Sequence, residues 1–260
     1  MPFADINGQR ICFEDSGGDG LPIVLSHGFL MDHEMFAPQV EALSPEFRVI
    51  AWDERGFGQT VFDGASFTYW DSARDCLGLL DELGIDDAVL GGMSQGGFLS
   101  LRAALLAPAR VRALVLIDSQ AGTEDPVRLP AYRQMQQTWL EHGPIDQVTE
   151  AIAQLIIGDP VLSAEWVAKW RQLPYDQLNA PGDCLLDRDD LTPRLGEISC
   201  PAIVFHGTAD QSIDMDKARA LCAGLSGCTG VVWVNGAPHA SNLTHPAEVN
   251  PPLIEFLRAL

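Results

Sequence analysis

Three residue types, far apart in the chain, could together do nucleophilic chemistry. Ser94 sits at the centre of Gly92-Met93-Ser94-Gln95-Gly96. A serine hydroxyl is a poor nucleophile at neutral pH and needs a base within hydrogen-bond reach, itself oriented by a carboxylate. Two later loops offer them: Asp210 in His206-Gly207-Thr208-Ala209-Asp210, and His239 in Gly236-Ala237-Pro238-His239. Asp118 is the rival for the acid. The chemistry would be acyl transfer, which builds negative charge on a carbonyl oxygen and calls for two preplaced N–H donors. The amide of Gln95, next to the nucleophile, and that of Phe29, after His27-Gly28, are the expected oxyanion donors.

With 24 glycines in 260 residues, a bare Gly-x-Ser-x-Gly would arise by composition in about one chain in ten. Its context carries the weight. The apolar run Ala88–Leu90 precedes it and the periodic run Phe98–Leu106 follows, which reads as strand, sharp turn, helix. Such a turn lifts the hydroxyl clear of a sheet and places it at a helix N-terminus, where unpaired N–H groups favour negative charge.

The elements that must hold these residues can be read in order. Asn7-Gly8 between Phe3–Ile6 and Arg10–Glu14 predicts an antiparallel hairpin. Pro22–Ser26, Phe47–Trp52, Ala88–Leu90, Val111–Ile117, Ala202–Phe205 and Gly230–Val234 read as buried strands. Helices are expected over Met35–Leu43, Asp71–Leu83, Phe98–Leu106, Met215–Leu225 and Pro251–Leu260. Strands alternating with helices imply a doubly wound, mostly parallel α/β sheet. In such a sheet functional groups collect past the C-terminal ends of strands, where Ser94, Asp210 and His239 all fall. Between about Gln120 and Arg188 the alternation stops and three helices are expected, Val127–Glu141, Ile145–Ile157 and Val161–Gln172. Residues 120–189 therefore read as a helical cap inserted into a core made of 1–119 and 190–260.

Trp139, Trp166, Trp170, Leu155 and Ile156 are the candidates to line a substrate pocket beneath that cap, Trp166 and Trp170 sharing one helix face. The alternative for the tryptophans is that they form the cap's own core. Arg133 could meet an anionic substrate or lie solvated at the surface. His206 reads as structural, His245 as packing or surface, and His33 and His142 carry no pattern.

Charge excludes some functions. Sixteen basic against 36 acidic residues give a net charge of −20, the wrong sign for nucleic acid or an anionic membrane. No apolar run approaches the roughly 18 residues of a membrane span. Met1–Asp5 has no basic region leading into an apolar one, so a cytoplasmic location is expected. The six cysteines lack Cys-x-x-Cys spacing and are expected to be reduced thiols. Cys222 and Cys228 are the nearest candidates for a bridge.

Leu25-Ser26-His27-Gly28-Phe29, Asp53-Glu54-Arg55-Gly56-Phe57-Gly58, Gly92–Gly97, His206–Asp210 and Pro238-His239, in this order, resemble the α/β-hydrolase superfamily. The resemblance spans nearly the whole chain. Within the superfamily it is nearest the esterase, enol-lactonase and cofactor-free haloperoxidase group. It implies a serine hydrolase with no metal or organic cofactor, acting on a small-molecule ester or lactone. Serine at position 94 speaks against members with an aspartate nucleophile. Carbon–carbon bond hydrolysis, perhydrolase or acyltransferase activity, and a non-catalytic ligand-binding role stand as alternatives. The oligomeric state is left open, a homodimer included.

Overall fold

A computed structural model describes all of residues 1–260. Eight strands form one sheet in the order β1-β2-β4-β3-β5-β6-β7-β8. They are β1 Phe3–Ile6, β2 Gln9–Asp15, β3 Pro22–Ser26, β4 Arg48–Trp52, β5 Ala88–Met93, β6 Val111–Ile117, β7 Ala202–Gly207 and β8 Cys228–Val234. β1 and β2 pair antiparallel through the expected hairpin, and β2 pairs antiparallel with β4. The remaining pairs are parallel. Asn7 and Gly8 both have positive φ, 49° and 81°, the twist a two-residue hairpin needs.

Ten helices surround the sheet: α1 Ala37–Leu43, α2 Tyr69–Glu82, α3 Gln95–Leu106, α4 Leu129–His142, α5 Asp146–Ile156, α6 Pro160–Trp170, α7 Asn179–Leu186, α8 Met215–Gly224, α9 Ser241–Thr244 and α10 Pro246–Arg258. Side chains alternate across each strand, so the sheet feeds two cores. Leu90, Leu114, Leu116 and Val204 pack with α2 and α3 on one face. Val89, Val115, Ile117 and Phe205 pack on the other with α1, α10 and Trp139, Ile152 and Trp166 from the helices between β6 and β7.

Three expectations need correction. α7 was not foreseen, because Pro181 and Gly182 interrupt any helical pattern, yet Pro181 falls in the first turn, where its missing N–H costs nothing. α10 starts at Pro246 rather than Pro251 and carries Pro251 and Pro252 inside it. The residue just before the two prolines is held from outside: the Asn250 side chain donates to the Pro38 carbonyl at 3.0 Å and accepts from Gln39 at 2.8 Å. Finally, Cys222 and Cys228 are bridged, their Cα atoms 5.4 Å apart. α8 ends and β8 begins within a few residues, so the turn itself brings the thiols together. The other four cysteines are free. No helix is long and apolar enough to cross a membrane.

Candidate active site

β5 runs straight into α3 with Ser94 as the only residue between them. Ser94 takes φ 52°, ψ −110°, a conformation that costs about 1–3 kcal/mol for a residue with a side chain. The surroundings hold it there. Its N–H donates to the Ile117 carbonyl at 2.9 Å, and its own carbonyl accepts from the Ser119 hydroxyl at 2.9 Å. The two motif glycines make the turn sterically feasible. A Cβ on Gly92 would land in the Gly96 carbonyl, and one on Gly96 would land in the Ser26 carbonyl. β3, β5 and α3 can approach this closely only because both positions lack a side chain.

β7 delivers the carboxylate. Past its end, Asp210 Oδ1 accepts from the amides of Ser212 at 2.7 Å and Ile213 at 3.0 Å. Its other oxygen, Oδ2, accepts from His239 Nδ1 at 2.7 Å. Burial alone would raise the Asp210 pKa, but the charge and hydrogen bond of His239, helped by the Ile213 amide, outweigh it and hold the carboxyl below its ordinary value. His239 is affected in the opposite sense. Burial works against its charged form, yet Asp210 beside it raises its pKa above the usual 6.5. With the proton on Nδ1 facing a carboxylate, Nε2 presents a lone pair. The His239 loop is anchored by the Ala240 amide on the Ile156 carbonyl at 2.8 Å and the Ser241 amide on Asp118 Oδ2 at 2.9 Å.

Asp118 does other work. It follows β6 directly with φ 46°, is fully buried, and also accepts from the Gly207 amide at 2.7 Å. Burial, followed by the nearby charge of Asp210, pushes its pKa up to about 7. His206 is buried, with Nε2 against the Ile213 carbonyl at 2.9 Å.

Phe29 follows β3 and borders the same cavity as Ser94 and His239. Neither its amide nor that of Gln95 donates to any acceptor in the protein, although Gln95 is buried at the start of α3. A buried unpaired N–H is uncommon; Gln95 is buried and Phe29 half-buried.

The cavity has a volume of about 110 Å³. Leu155 and Ile156 line it. Met135, Ile152 and Leu185 add apolar wall, while Gln120, Tyr132 and Arg188 contribute polar groups. The sequence reading missed these; those on α4 and α5 lie one or two helical turns from residues it did single out, but Leu185 lies on the unforeseen α7. The structure does not bring Trp139 and Trp166 to the cavity. Trp139 is wholly buried among core side chains, its indole N–H 3.4 Å from the Pro174 carbonyl. Trp166 is buried in the same core under Lys169, whose ammonium lies 4.1 Å from its ring centre. Trp170 donates to the Leu30 carbonyl at 2.6 Å. The two tryptophans on α6 do share a face, and that face packs inward. Arg133 is paired with Asp183 and Asp187 at the surface. His33, which carried no pattern, pairs with buried Asp53 at 2.7 Å.

A family model described as the α/β hydrolase fold matches residues 22–246. The chain is 28% identical to the non-heme chloroperoxidase of Streptomyces lividans, with 97% of this chain and 98% of that protein aligned. It is 27% identical to the 3-oxoadipate enol-lactonase of Acinetobacter baylyi, over 92% of this chain and 90% of that protein. Among solved structures, a thermophilic esterase from Thermogutta terrifontis superposes with a TM-score of 0.91 at 28% identity, covering 100% of this chain and 99% of that one. The enol-lactonase from Burkholderia xenovorans gives a TM-score of 0.89 at 26% identity, over 99% of this chain and 100% of that one.

Proposed function

The chain belongs to the α/β-hydrolase fold family, and on that premise we propose that it is a serine hydrolase of carboxylic esters or lactones, working through an acyl-enzyme. The observation that carries the reading is the 2.7 Å contact of His239 Nδ1 with Asp210 Oδ2, in a histidine that shares one cavity with Ser94. Asp210 keeps the Nδ1 proton in place, so His239 Nε2 takes the proton of Ser94 Oγ as that oxygen attacks the carbonyl carbon. The oxyanion that forms is received by the amides of Phe29 and Gln95, one such donor being worth about 3 kcal/mol of barrier. Collapse expels the alkoxide, which His239 protonates; water then repeats the sequence and frees the acid. In a lactone both products are one molecule.

Residues 120–189 act as a cap over a core of 1–119 and 190–260. The apolar wall they supply suits an alkyl or aromatic acyl group, and the −20 charge suits a small-molecule substrate rather than a polyanion. The likeness to the esterase and the two enol-lactonases supports the ester and lactone class. A second reading, perhydrolase or acyltransferase, uses the same intermediate with peroxide or an alcohol in place of water, and the likeness to the chloroperoxidase supports it.

A fluorophosphonate probe tests the proposal. Wild-type protein is expected to be labelled at Ser94 and Ser94→Ala is not. Equal labelling of the two proteins overturns the assignment. Turnover of p-nitrophenyl acetate and butyrate is expected to exceed that of a ring-cleavage diketone; the opposite order would select carbon–carbon bond hydrolysis.

A further inference from the structure

Glu54 has no place in the chemistry above, and packing does not explain it. It follows β4, is 1% exposed, and its Oε1 has no hydrogen-bond partner. A buried carboxyl with an unpaired oxygen is costly to keep. Burial raises its pKa well above the usual carboxylate value, with the charges of Asp75 and Asp53 acting in the same direction. What it does have is two connections, and they lead to the two oxyanion donors.

The first runs through its backbone. The Glu54 N–H donates to His27 Nε2 at 3.0 Å. That leaves the His27 proton on Nδ1, which donates to the Gly28 carbonyl at 2.7 Å. Burial lowers the His27 pKa and keeps the ring neutral, as this pair of bonds requires. The Gly28 carbonyl and the Phe29 N–H belong to one planar trans peptide and point in opposite directions. Holding the carbonyl therefore aims the N–H. A bond to that carbonyl also polarises the peptide and strengthens its N–H as a donor.

The second runs through the side chain. Glu54 Oε2 accepts from Gln95 Nε2 at 3.1 Å, and Gln95 Oε1 accepts from the Tyr69 hydroxyl at 3.2 Å. The Gln95 amide is thus gripped at both ends, and the residue whose backbone N–H is the second donor is fixed at the start of α3.

We propose that Glu54 is a positioning residue that sets the Phe29 and Gln95 amides relative to one another, through one hydrogen-bonded chain from the Gly28 carbonyl by way of His27, Glu54 and Gln95 to Tyr69. The proposal rests on the serine-hydrolase reading. Glu54 touches no substrate; it adds a polar link between the loop after β3 and the turn after β5, whose strands are already neighbours in the sheet.

The test uses Glu54→Leu, Glu54→Gln and Gln95→Met, with active sites titrated so that misfolded protein is not counted. Misplacing a donor by about 1 Å costs on the order of 100-fold. Glu54→Leu is expected to lower kcat by about that factor, with KM for p-nitrophenyl butyrate within about threefold. Binding of a trifluoromethyl ketone, whose adduct on Ser94 carries the oxyanion, should weaken by the same factor. Glu54→Gln presents the same acceptor from a neutral group and should recover most of the loss. Glu54→Leu combined with Gln95→Met should be no worse than the poorer single variant, because both cut one chain. Wild-type kcat in Glu54→Leu, or Glu54→Gln as impaired as Glu54→Leu, overturns the proposal. Backbone amide NMR shifts separate it from its premise. The Gln95 shift should move in Glu54→Leu and return in Glu54→Gln, while Phe29, tied through the Glu54 backbone N–H that the substitution keeps, should stay in place, even if the wild-type protein hydrolyses nothing; that last result would remove the hydrolase reading alone. An unmoved Gln95 shift would remove the Glu54 assignment while leaving an active enzyme in place.

Discussion

Asp210 reaches His239 across 2.7 Å, whereas Asp118, directly after the neighbouring strand, gives both its oxygens to backbone amides. Two carboxylates thus stand beside one imidazole, and hydrogen bonding separates their roles. Asp210→Asn should lower kcat/KM by about 10³–10⁴, the usual result of losing the acid that fixes the histidine's proton. Asp118→Asn should keep most activity per folded molecule. An asparagine can accept from only one of the two amides, so it should cost about 1–3 kcal/mol of stability. Steady-state kinetics and urea unfolding distinguish the two; the reverse pattern would move the catalytic acid to Asp118.

The pH profile of kcat/KM follows from the raised His239 pKa. The general base must be neutral, so activity falls as pH drops through that value. The acid limb should lie above 6.5, the ordinary histidine value. In Asp210→Asn the charge and hydrogen bond that favour the imidazolium are gone. Burial then acts with less opposition, and the residual activity should show an acid limb at lower pH. A limb that stays in place would show that Asp210 does not set this pKa.

On the ester-hydrolase reading, the wall of the cavity should control acyl-chain preference. Leu155→Phe adds volume where Leu155 lines it, and the butyrate-to-acetate ratio of kcat/KM should fall about tenfold, in the range of one to two methylenes. Trp166→Phe lies outside the cavity and should leave that ratio unchanged while destabilising the core by about 1–3 kcal/mol. A preference that shifted in Trp166→Phe instead would return that residue to the pocket.

The Cys222–Cys228 bridge closes a short loop, its cysteines six residues apart. Chain-entropy arguments give about 2 kcal/mol for such a loop. Cys222→Ser/Cys228→Ser should unfold at correspondingly lower urea with unchanged kcat, since neither cysteine borders the cavity. Thermal and urea unfolding with and without a reductant make the same measurement on the wild-type protein.

Some of this was readable before any coordinates. The hairpin at Asn7-Gly8 is a local matter of two residues able to take positive φ. The Ser94 turn is nearly as local, since it needs small residues at 92 and 96 and an apolar strand and helix on either side. Strand ends announced Asp210 and His239 because a parallel sheet places its C-terminal edge on one side. The tryptophans were ambiguous for a physical reason: an apolar helix face looks the same whether it covers a cavity or a core. Glu54 shows no role in the sequence, because its neighbours Gln95 and Tyr69 are 41 and 15 residues away and no periodicity connects them.

The amino-acid order by itself determined the alternation of strands and helices and where the serine, carboxylate and imidazole could stand, because backbone preferences and apolar patterning act over a few residues. Only the tertiary structure decided which of two carboxylates meets His239, which apolar side chains border the cavity, and that Glu54 joins the two amide-bearing loops. Those outcomes depend on distances between segments remote in sequence, and such distances are settled only when the sheet and its helices pack.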